Sequence, residues 1–391
     1  MSTIRAAINK PGIFLALLLV IAVAAAVVIA PRLFAAAPAA QSPALIAQAD
    51  STGFAHVTGP IPLTFPADHG PHPAYQTEWW YYTGNLAAAD GHRFGYQLTF
   101  FRRALVPLQQ QVQRASDWAT DQVYLAHFAL TDVGRQDYHA QAELNRGAAG
   151  LAGAQADPLR VWLGDWSATM SDDQTYHLSA SDAGRIIDLT LVDTKGPILQ
   201  GDHGYSQKGP QPGNASIYYS LTHMTTTGKV TSAGVTYDVS GLSWMDREFS
   251  TSALAPNQVG WDWFSLQLDN DTEMMFYKLR DDDGRIDPYS SGAIIGPDAS
   301  MTPLKLNEFA ISNAGSWTSL HSGAVYPSGW HIEVPSQQIV LDVTPLVADQ
   351  EFNVSLTYWE GAVKITGSQR QQPLDGYGYV ELTGYHGPAP R

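Results

Sequence analysis

The chain of 391 residues contains no cysteine. Disulfides and thiolate metal sites are therefore excluded, and the fold must be stabilised by burial of a core. Charged residues are also scarce, at 15% of the chain against 45% hydrophobic residues, and acids outnumber bases to give a net charge of −15. An acidic surface without a basic stripe argues against binding of nucleic acid. A chain of this length and composition is expected to fold as two domains with substantial cores.

Several catalytic and metal-binding motifs are also absent. The sequence has no Gly-x-Ser-x-Gly elbow, no Walker A loop and no Gly-x-Gly-x-x-Gly loop. His69 and His72 are surrounded by prolines and lack further convergent ligands. The acidic run 281–283 lacks the bidentate glutamate of an EF-hand. The sequence therefore predicts neither a metal nor a cofactor.

The sequence has one long hydrophobic run, residues 12–30, in which 19 residues carry no charge. Its length lies between that of a cleaved signal peptide and a spanning anchor, so residues 1–34 are predicted to be one or the other. Arg5 and Lys10 precede the run, so we expect the bulk of the protein to be exported, to the periplasm or another extracytoplasmic space. If uncleaved, the run would hold the protein at the inner membrane. An Ala/Pro-rich linker is predicted over 35–53.

The remainder is predicted to be all-β and antiparallel. Short aromatic and β-branched runs alternate with Gly, Pro, Asp and Asn, and helical periodicity is rare. The clearest hairpin spans 65–101, with its turn at the Asp-Gly pair 90–91. A polar connection at 250–257 is the predicted boundary between domains at 54–252 and 253–391.

Glu78 is the first candidate functional residue, because four consecutive aromatic residues follow it at 79–82. A carboxylate beside such a surface either finds a partner or has its pKa raised toward a useful value. The sequence leaves both open: a catalytic carboxyl, or an ion-paired residue beside core aromatics.

The second candidate group joins 218–220, Tyr-Tyr-Ser, to the run 241–249. In strand geometry Trp244, Asp246 and Glu248 share one face. Asp246 beside Trp244 would then be a partly desolvated carboxyl, suited to donate a proton near neutral pH. The alternative is a structural ion pair between one of these acids and an arginine.

With these motifs the chain resembles the AttH-like, carotenoid 1,2-hydratase (hydroxyneurosporene synthase)-like family, often described as predicted secreted hydrolases. The matching motifs, in chain order over about 56 to 386, begin at Phe65, Thr77, His127, Gly204, Tyr218, Gly241, Gly260, Tyr326, Gln350, Tyr358 and Gly378. The resemblance implies two consecutive lipocalin-like β-barrel domains. It also implies a site for a hydrophobic small-molecule ligand.

In the hydratases of that family, an acidic residue protonates an isolated carbon–carbon double bond and water captures the resulting cation. Asp246 matches that acid, and Trp244 falls where the hydratases carry a tyrosine. One departure concerns the preceding strand, where the hydratases use histidine and tryptophan and this chain has Tyr218 and Tyr219. His223 lies near this run, and the sequence leaves two roles open for it: a substitute for the histidine, or a residue that only caps the strand. The predicted catalytic residues are Asp246, Glu78, Tyr218 and Trp244. The predicted substrate-binding residues are Trp79, Trp80, Tyr82, His127, Tyr219, His223, Trp261 and Trp263.

Two functions follow from the resemblance. The first is an exported, acid-catalysed hydratase or hydrolase for an isoprenoid or lipid-like molecule. The alternative is a non-catalytic lipocalin-type carrier that works with an ABC-type transport system. Convergence of Glu78, Tyr218 and Asp246 on one pocket would favour the enzyme, whereas carboxyls paired with arginines would favour the carrier.

Overall fold

The structure, a computed structural model, describes residues 51–171, 174–251 and 254–386. The predicted export segment and nearly all of the linker lie outside the described residues. Among the residues that the structure describes, no helix is both long and apolar enough to cross a membrane. The prediction of an antiparallel all-β fold is confirmed. Helical structure in the described part is confined to short 3-10 turns: Ala67–His69, Leu108–Gln110, Val133–Arg135, Leu306–Glu308 and Pro335–Gln337.

The first large sheet is formed by β1 Thr77–Ala88, β2 Arg93–Ala104, β3 Gln122–Asp132, β4 Asp137–Arg146, β5 Ala152–Ala156, β6 Leu159–Leu163, β7 Trp166–Met170, β8 Thr175–Asp182, β9 Arg185–Asp193, β10 Ile198–Leu199, β11 Tyr205–Gln207, β12 Ala215–Ser232 and β13 Val235–Ser250. The strand order is β4-β3-β2-β1-β13-β12-β9-β8-β7-β6-β5, with β10 and β11 beside β12. Because β5 and β6 contact β3 and β4, the two ends of this order meet and the sheet is nearly closed.

The second half of the chain contributes β14 Gln258–Leu268, β15 Glu273–Asp281, β16 Ser291–Ile295, β17 Met301–Lys305, β18 Ala310–Asn313, β19 Ser316–Thr318, β20 Val325–Pro327, β21 Trp330–Val334, β22 Ile339–Pro345, β23 Glu351–Asn353, β24 Thr357–Gln369 and β25 Gln372–Leu382. The second large sheet has the order β17-β16-β15-β14-β25-β24-β22-β21-β18, with β23 beside β24, while β19 and β20 pair separately. The predicted connection 250–257 lies between the last strand of one sheet and the first of the other.

Each sheet encloses an apolar core of its own. Trp80, Tyr82 and Tyr96 lie in the first core, and Trp330 and Trp359 lie in the second. Successive strand residues point to opposite faces, so the neighbours of these core residues point outward.

Between the sheets lies a third aromatic cluster, which receives Tyr81, Tyr218 and Trp244 from the first sheet and Trp263 and Tyr379 from the second. The outward faces of the two sheets therefore pack on each other. The candidate active site lies in this interface.

Candidate active site

The alternation along β13 determines which side chains reach the interface. Trp244 packs in the cluster between the sheets, whereas Met245 packs in the first core. Asp246 and Glu248 follow Trp244 on the same face, as the sequence predicted, and both line a cavity there. Arg247 points the other way, into the first sheet.

The cavity has a volume of about 150 Å³ and walls from both sheets. Its aromatic lining consists of Trp79, Tyr81, Phe101, His127, Tyr218, Trp261, Trp263, Tyr277 and Tyr358. One lysine and three acidic side chains also line the cavity: Lys208, Asp246, Glu248 and Glu381. A mostly apolar pocket with a few convergent polar groups is the usual form of a small-molecule site.

Asp246 receives three hydrogen bonds and lies 4% exposed. The Tyr218 hydroxyl donates to Oδ2 at 2.7 Å. The Ser220 hydroxyl and the Trp244 indole N–H donate to Oδ1 at 2.6 and 2.7 Å. Trp263 in turn donates to the Tyr218 hydroxyl at 3.2 Å. Both sheets therefore contribute to the position of this carboxyl.

Burial raises the pKa of Asp246 to about 7, although the three hydrogen bonds oppose the rise. The neighbouring Glu248 carboxylate adds to the rise. A group with this pKa is partly protonated at neutral pH and can both deliver and recover a proton. The predicted environment of Asp246 is therefore present, and no salt bridge to it occurs among the described residues.

Glu248 has a cationic partner in the cavity. Lys208 Nζ lies 3.5 Å from its Oε1 and 4.3 Å from the centre of the Tyr277 ring. Burial is the largest single effect on Lys208 and opposes its charge, but Glu248, together with Tyr277 and Asp246, outweighs burial and raises the pKa of the lysine. The lysine is therefore an ammonium group beside Glu248.

The second sheet supplies two further acids that were not among the predicted site residues. Glu381 Oε2 accepts a 2.8 Å hydrogen bond from the Trp261 indole, and burial raises its pKa to about 7. Glu360, directly opposite Glu381 in the strand register, accepts a hydrogen bond from Tyr81. Burial and the Glu381 charge raise the pKa of Glu360 well above its ordinary value. Both acids lie in motifs that carried the family resemblance, but the sequence does not show that their strands face Asp246.

Glu78 does not join Asp246, contrary to the prediction of convergence. It is fully buried inside the first sheet, where Arg102 and Arg247 both pair with it. Burial alone would raise the pKa of Glu78, but the two arginines hold it well below its usual range. Glu78 is therefore a carboxylate. Of the two roles that the sequence leaves open for it, the structure shows the ion-paired residue.

Three predicted substrate-binding residues also point away from the cavity. Trp80, Tyr82 and Tyr219 lie in the first core. Trp80 donates to the backbone carbonyl of His69 at 2.8 Å, and the Tyr219 hydroxyl lies 2.8 Å from His69 Nδ1. These residues alternate with Tyr81 and Tyr218, which do face the cavity.

The two predicted histidines differ in position. His127 lines the cavity, with Nδ1 2.8 Å from the Tyr358 hydroxyl, and burial lowers its pKa to about 3, so it is neutral. His223 lies outside the cavity, 2.8 Å from Glu273. No three His, Asp or Glu side chains in the described part of the chain are grouped as metal ligands would be.

The AttH-like family model matches residues 56–385. A crystal structure from Nitrosomonas europaea, named as a candidate AttH, is 32% identical with a TM-score of 0.75 over 85% of this chain and 100% of that one. Kievitone hydratase of Fusarium solani subsp. phaseoli is 25% identical over 239 residues, which are 59% of this chain and 66%, just under two thirds, of that protein. The kievitone hydratase structure from Nectria haematococca, 14% identical, has a TM-score of 0.65 over 89% of this chain and 98% of its own. The chain belongs to the AttH-like family.

Proposed function

We propose that the protein adds water to an isolated carbon–carbon double bond of an isoprenoid or lipid-like molecule held in the cavity between the sheets. The observation that carries this proposal is Asp246, a buried carboxyl with three hydrogen-bond donors, a pKa near 7 and an aromatic cavity in front of it. The similarity to kievitone hydratase supports hydration over other acid-catalysed reactions.

The first step is proton transfer from Asp246 to one alkene carbon. Oδ1 accepts two hydrogen bonds and Oδ2 only one, so the proton is expected on Oδ2. The π electrons form the new C–H bond and leave a cation on the neighbouring carbon. As Asp246 becomes a carboxylate, the same three donors stabilise its new charge.

The cavity walls suit the cation that this step creates. The rings of Trp79, Tyr81 and Trp263 line the cavity, and aromatic faces attract a cation through their quadrupole. Water then forms a C–O bond with the cation and loses a proton, which gives an alcohol.

Conversion of acyclic isoprenoids with a terminal gem-dimethyl alkene tests the proposal. The full-length protein is incubated with each in ¹⁸O-labelled water, and labelled alcohol is measured by mass spectrometry. We expect Asp246→Asn to lower the rate by at least ~10²-fold, because it removes the general acid. Asp132→Asn is the matched control, since Asp132 is also buried but pairs with His92 away from the cavity. Equal rates for Asp246→Asn and wild type would disprove the acid role.

A non-catalytic carrier is the second candidate. It is favoured by the ion pairs that hold Glu78 between two arginines, away from the cavity. The carrier predicts that the same molecules quench the fluorescence of Trp79, Trp261 and Trp263 with no alcohol formed. Such a carrier would work with an ABC-type transport system at the cell envelope. Labelled alcohol in the assay above rejects this candidate.

We further propose that the protein is exported to the periplasm or another extracytoplasmic space, on the basis of the charge-free run 12–30 and the preceding Arg5 and Lys10. The run would anchor it to the inner membrane if left uncleaved. A C-terminal fusion to a reporter that works only in the cytoplasm is expected to be silent. An active fusion would reject export.

A further inference from the structure

Hydration needs a base as well as an acid. The attacking water must lose a proton while its oxygen bonds to the cation, and either the new Asp246 carboxylate or a second carboxyl in the cavity can accept it. Of the other carboxyls that line the cavity, Glu248 is held by Lys208. Glu381, on the wall formed by the second sheet, has no cationic partner among the described residues.

We propose that Glu381 is the general base that takes the proton from the attacking water, an assignment that rests on the hydration proposed above. Trp261 fixes its Oε2 by a 2.8 Å hydrogen bond. No described residue donates a hydrogen bond to Oε1, and the side chain lines the cavity. The substrate would therefore lie between an acid on β13 and a base on β25.

The groups around Glu381 indicate that Glu381 and Asp246 titrate as a coupled pair. Asp246 and Glu248 of β13 face it, as do Glu360 and Tyr358 of β24, and Tyr81 of β1. Burial raises the pKa of Glu381 to about 7, and the charges of Asp246 and Glu248 add to the rise, while the Trp261 hydrogen bond opposes it. Two acids with similar pKa values that repel each other's charge favour the state with a single proton.

That singly protonated state is the one that hydration requires. Of its two forms, hydration uses the one in which Asp246 holds the proton and Glu381 is ionised. Asp246 gives its proton to carbon, water forms the C–O bond, and the water proton passes to Glu381 Oε1. Asp246 ends as a carboxylate and Glu381 as an acid, so one proton must return from Glu381 to Asp246 through solvent before the next turnover.

The dependence of kcat/KM on pH tests the assignment, with the full-length protein and citronellol, a ten-carbon isoprenoid alcohol, as the probe. We expect a bell centred near neutral pH for the wild type, with Glu381 responsible for the loss at low pH and Asp246 for the loss at high pH. Glu381→Gln should lower the rate about 10²-fold and abolish the low-pH limb. Glu351→Gln is the matched control, because Glu351 is a buried acid of the second sheet bonded to Ser319 and Tyr326 outside the cavity.

Two further variants separate a base from a merely structural residue. Trp261→Phe removes the donor that lowers the pKa of Glu381, so the low-pH limb should move to higher pH. Glu381→Ala should regain part of its rate when formate is added as a replacement base.

A Glu381→Gln protein with the wild-type rate and both limbs would overturn the base assignment alone. The same conclusion follows if Trp261→Phe leaves the low-pH limb in place. If the wild type forms no alcohol from citronellol or the other isoprenoids, the proposed hydration fails, and the base assignment fails with it.

Discussion

Asp246 is buried and accepts three hydrogen bonds, and the ionisation of this carboxyl lowers the stability of the fold. Donors that meet a carboxylate normally lower its pKa, yet the pKa of Asp246 is raised from 3.8 to about 7 because burial outweighs them. A carboxyl whose pKa is higher in the folded protein than in the unfolded chain opposes folding wherever it must ionise. This penalty falls at the position where the proposed hydration needs an acid.

The first prediction concerns the stability of Asp246→Asn as a function of pH. Below the unfolded pKa of 3.8 the carboxyl is neutral in both states, and above about 7 it is ionised in both. Between these values the ionisation of Asp246 costs the wild type stability as the pH rises, and the Asn variant lacks this cost. The variant should therefore gain about 4 kcal/mol relative to wild type between pH 4 and pH 8, at 1.36 kcal/mol per pKa unit.

Urea unfolding of both proteins at each pH measures this difference. A residue that formed half of an ion pair would behave in the opposite way, because its removal would destabilise the protein most at pH 8. A variant that loses stability relative to wild type as the pH rises would therefore contradict the environment described for Asp246.

Among the elements, β1, β2 and β13 form the centre of the first sheet. Glu78 of β1 lies opposite Arg102 of β2 and Phe249 of β13, and it pairs with Arg102 and Arg247. Arg102 also donates to the backbone carbonyls of His72 and Tyr75. The ion pairs of this one buried carboxylate thus link three strands, and through Arg102 they also link the segment that precedes β1.

The second prediction is that Glu78→Gln destabilises the protein by roughly 3–5 kcal/mol, because two buried guanidinium groups lose their counter-charge. The wild type should lose the same stabilisation as pH falls below the unfolded pKa of about 4.5, since the pKa of Glu78 is lowered in the fold. Thermal unfolding of Glu78→Gln beside Glu308→Gln, a surface control, measures the effect.

At a temperature where Glu78→Gln stays folded, it should convert the isoprenoid at a rate close to wild type. A rate loss as large as that of Asp246→Asn, in a folded protein, would return Glu78 to the catalytic group.

The sequence predicts which side chains of β13 share a face, but it does not predict which face of β1 enters the core. In 244–249, polar and apolar residues alternate in a way that joins Asp246 to Trp244. In 78–82, a carboxyl is followed by aromatic residues on both faces, so the pattern does not show which face enters the core. The partners of Glu78 lie 24 and 169 residues away in the chain. The sequence does not reveal Glu381, because its raised pKa depends on burial and on acids of the first sheet, which packs against its own sheet.

For the whole molecule, the cavity exists only where the two sheets meet. Asn85 donates to the carbonyl of Gly378 at 2.9 Å, and Gln267 donates to the carbonyls of Thr222 and Ser243 at 2.8 and 3.1 Å. The backbone of Gly95 also lies close to the second sheet, because a Cβ placed there would lie 2.4 Å from the Cβ of Ala362. The site therefore depends on the docking of the sheets as much as on either fold.

The third prediction is that Gly95→Val separates the sheets. Overpacking should cost about 1–3 kcal/mol, and the single calorimetric transition expected for the wild type should split into two. Gly59→Val is the control, since no atom lies within 4 Å of a Cβ at that position. One unshifted transition for Gly95→Val would show that the interface does not couple the two sheets.

The position of solvent hydrogen in the product tests the proposed acid chemistry most directly. Citronellol is converted in D₂O containing ¹⁸O, and the alcohol is examined by NMR and mass spectrometry. Protonation of the alkene by Asp246 predicts one deuterium on the carbon next to the new tertiary alcohol, ¹⁸O on that alcohol, and neither label in Asp246→Asn. Product with ¹⁸O but no carbon-bound deuterium, or equal labelling by the Asn variant, would contradict proton transfer from Asp246.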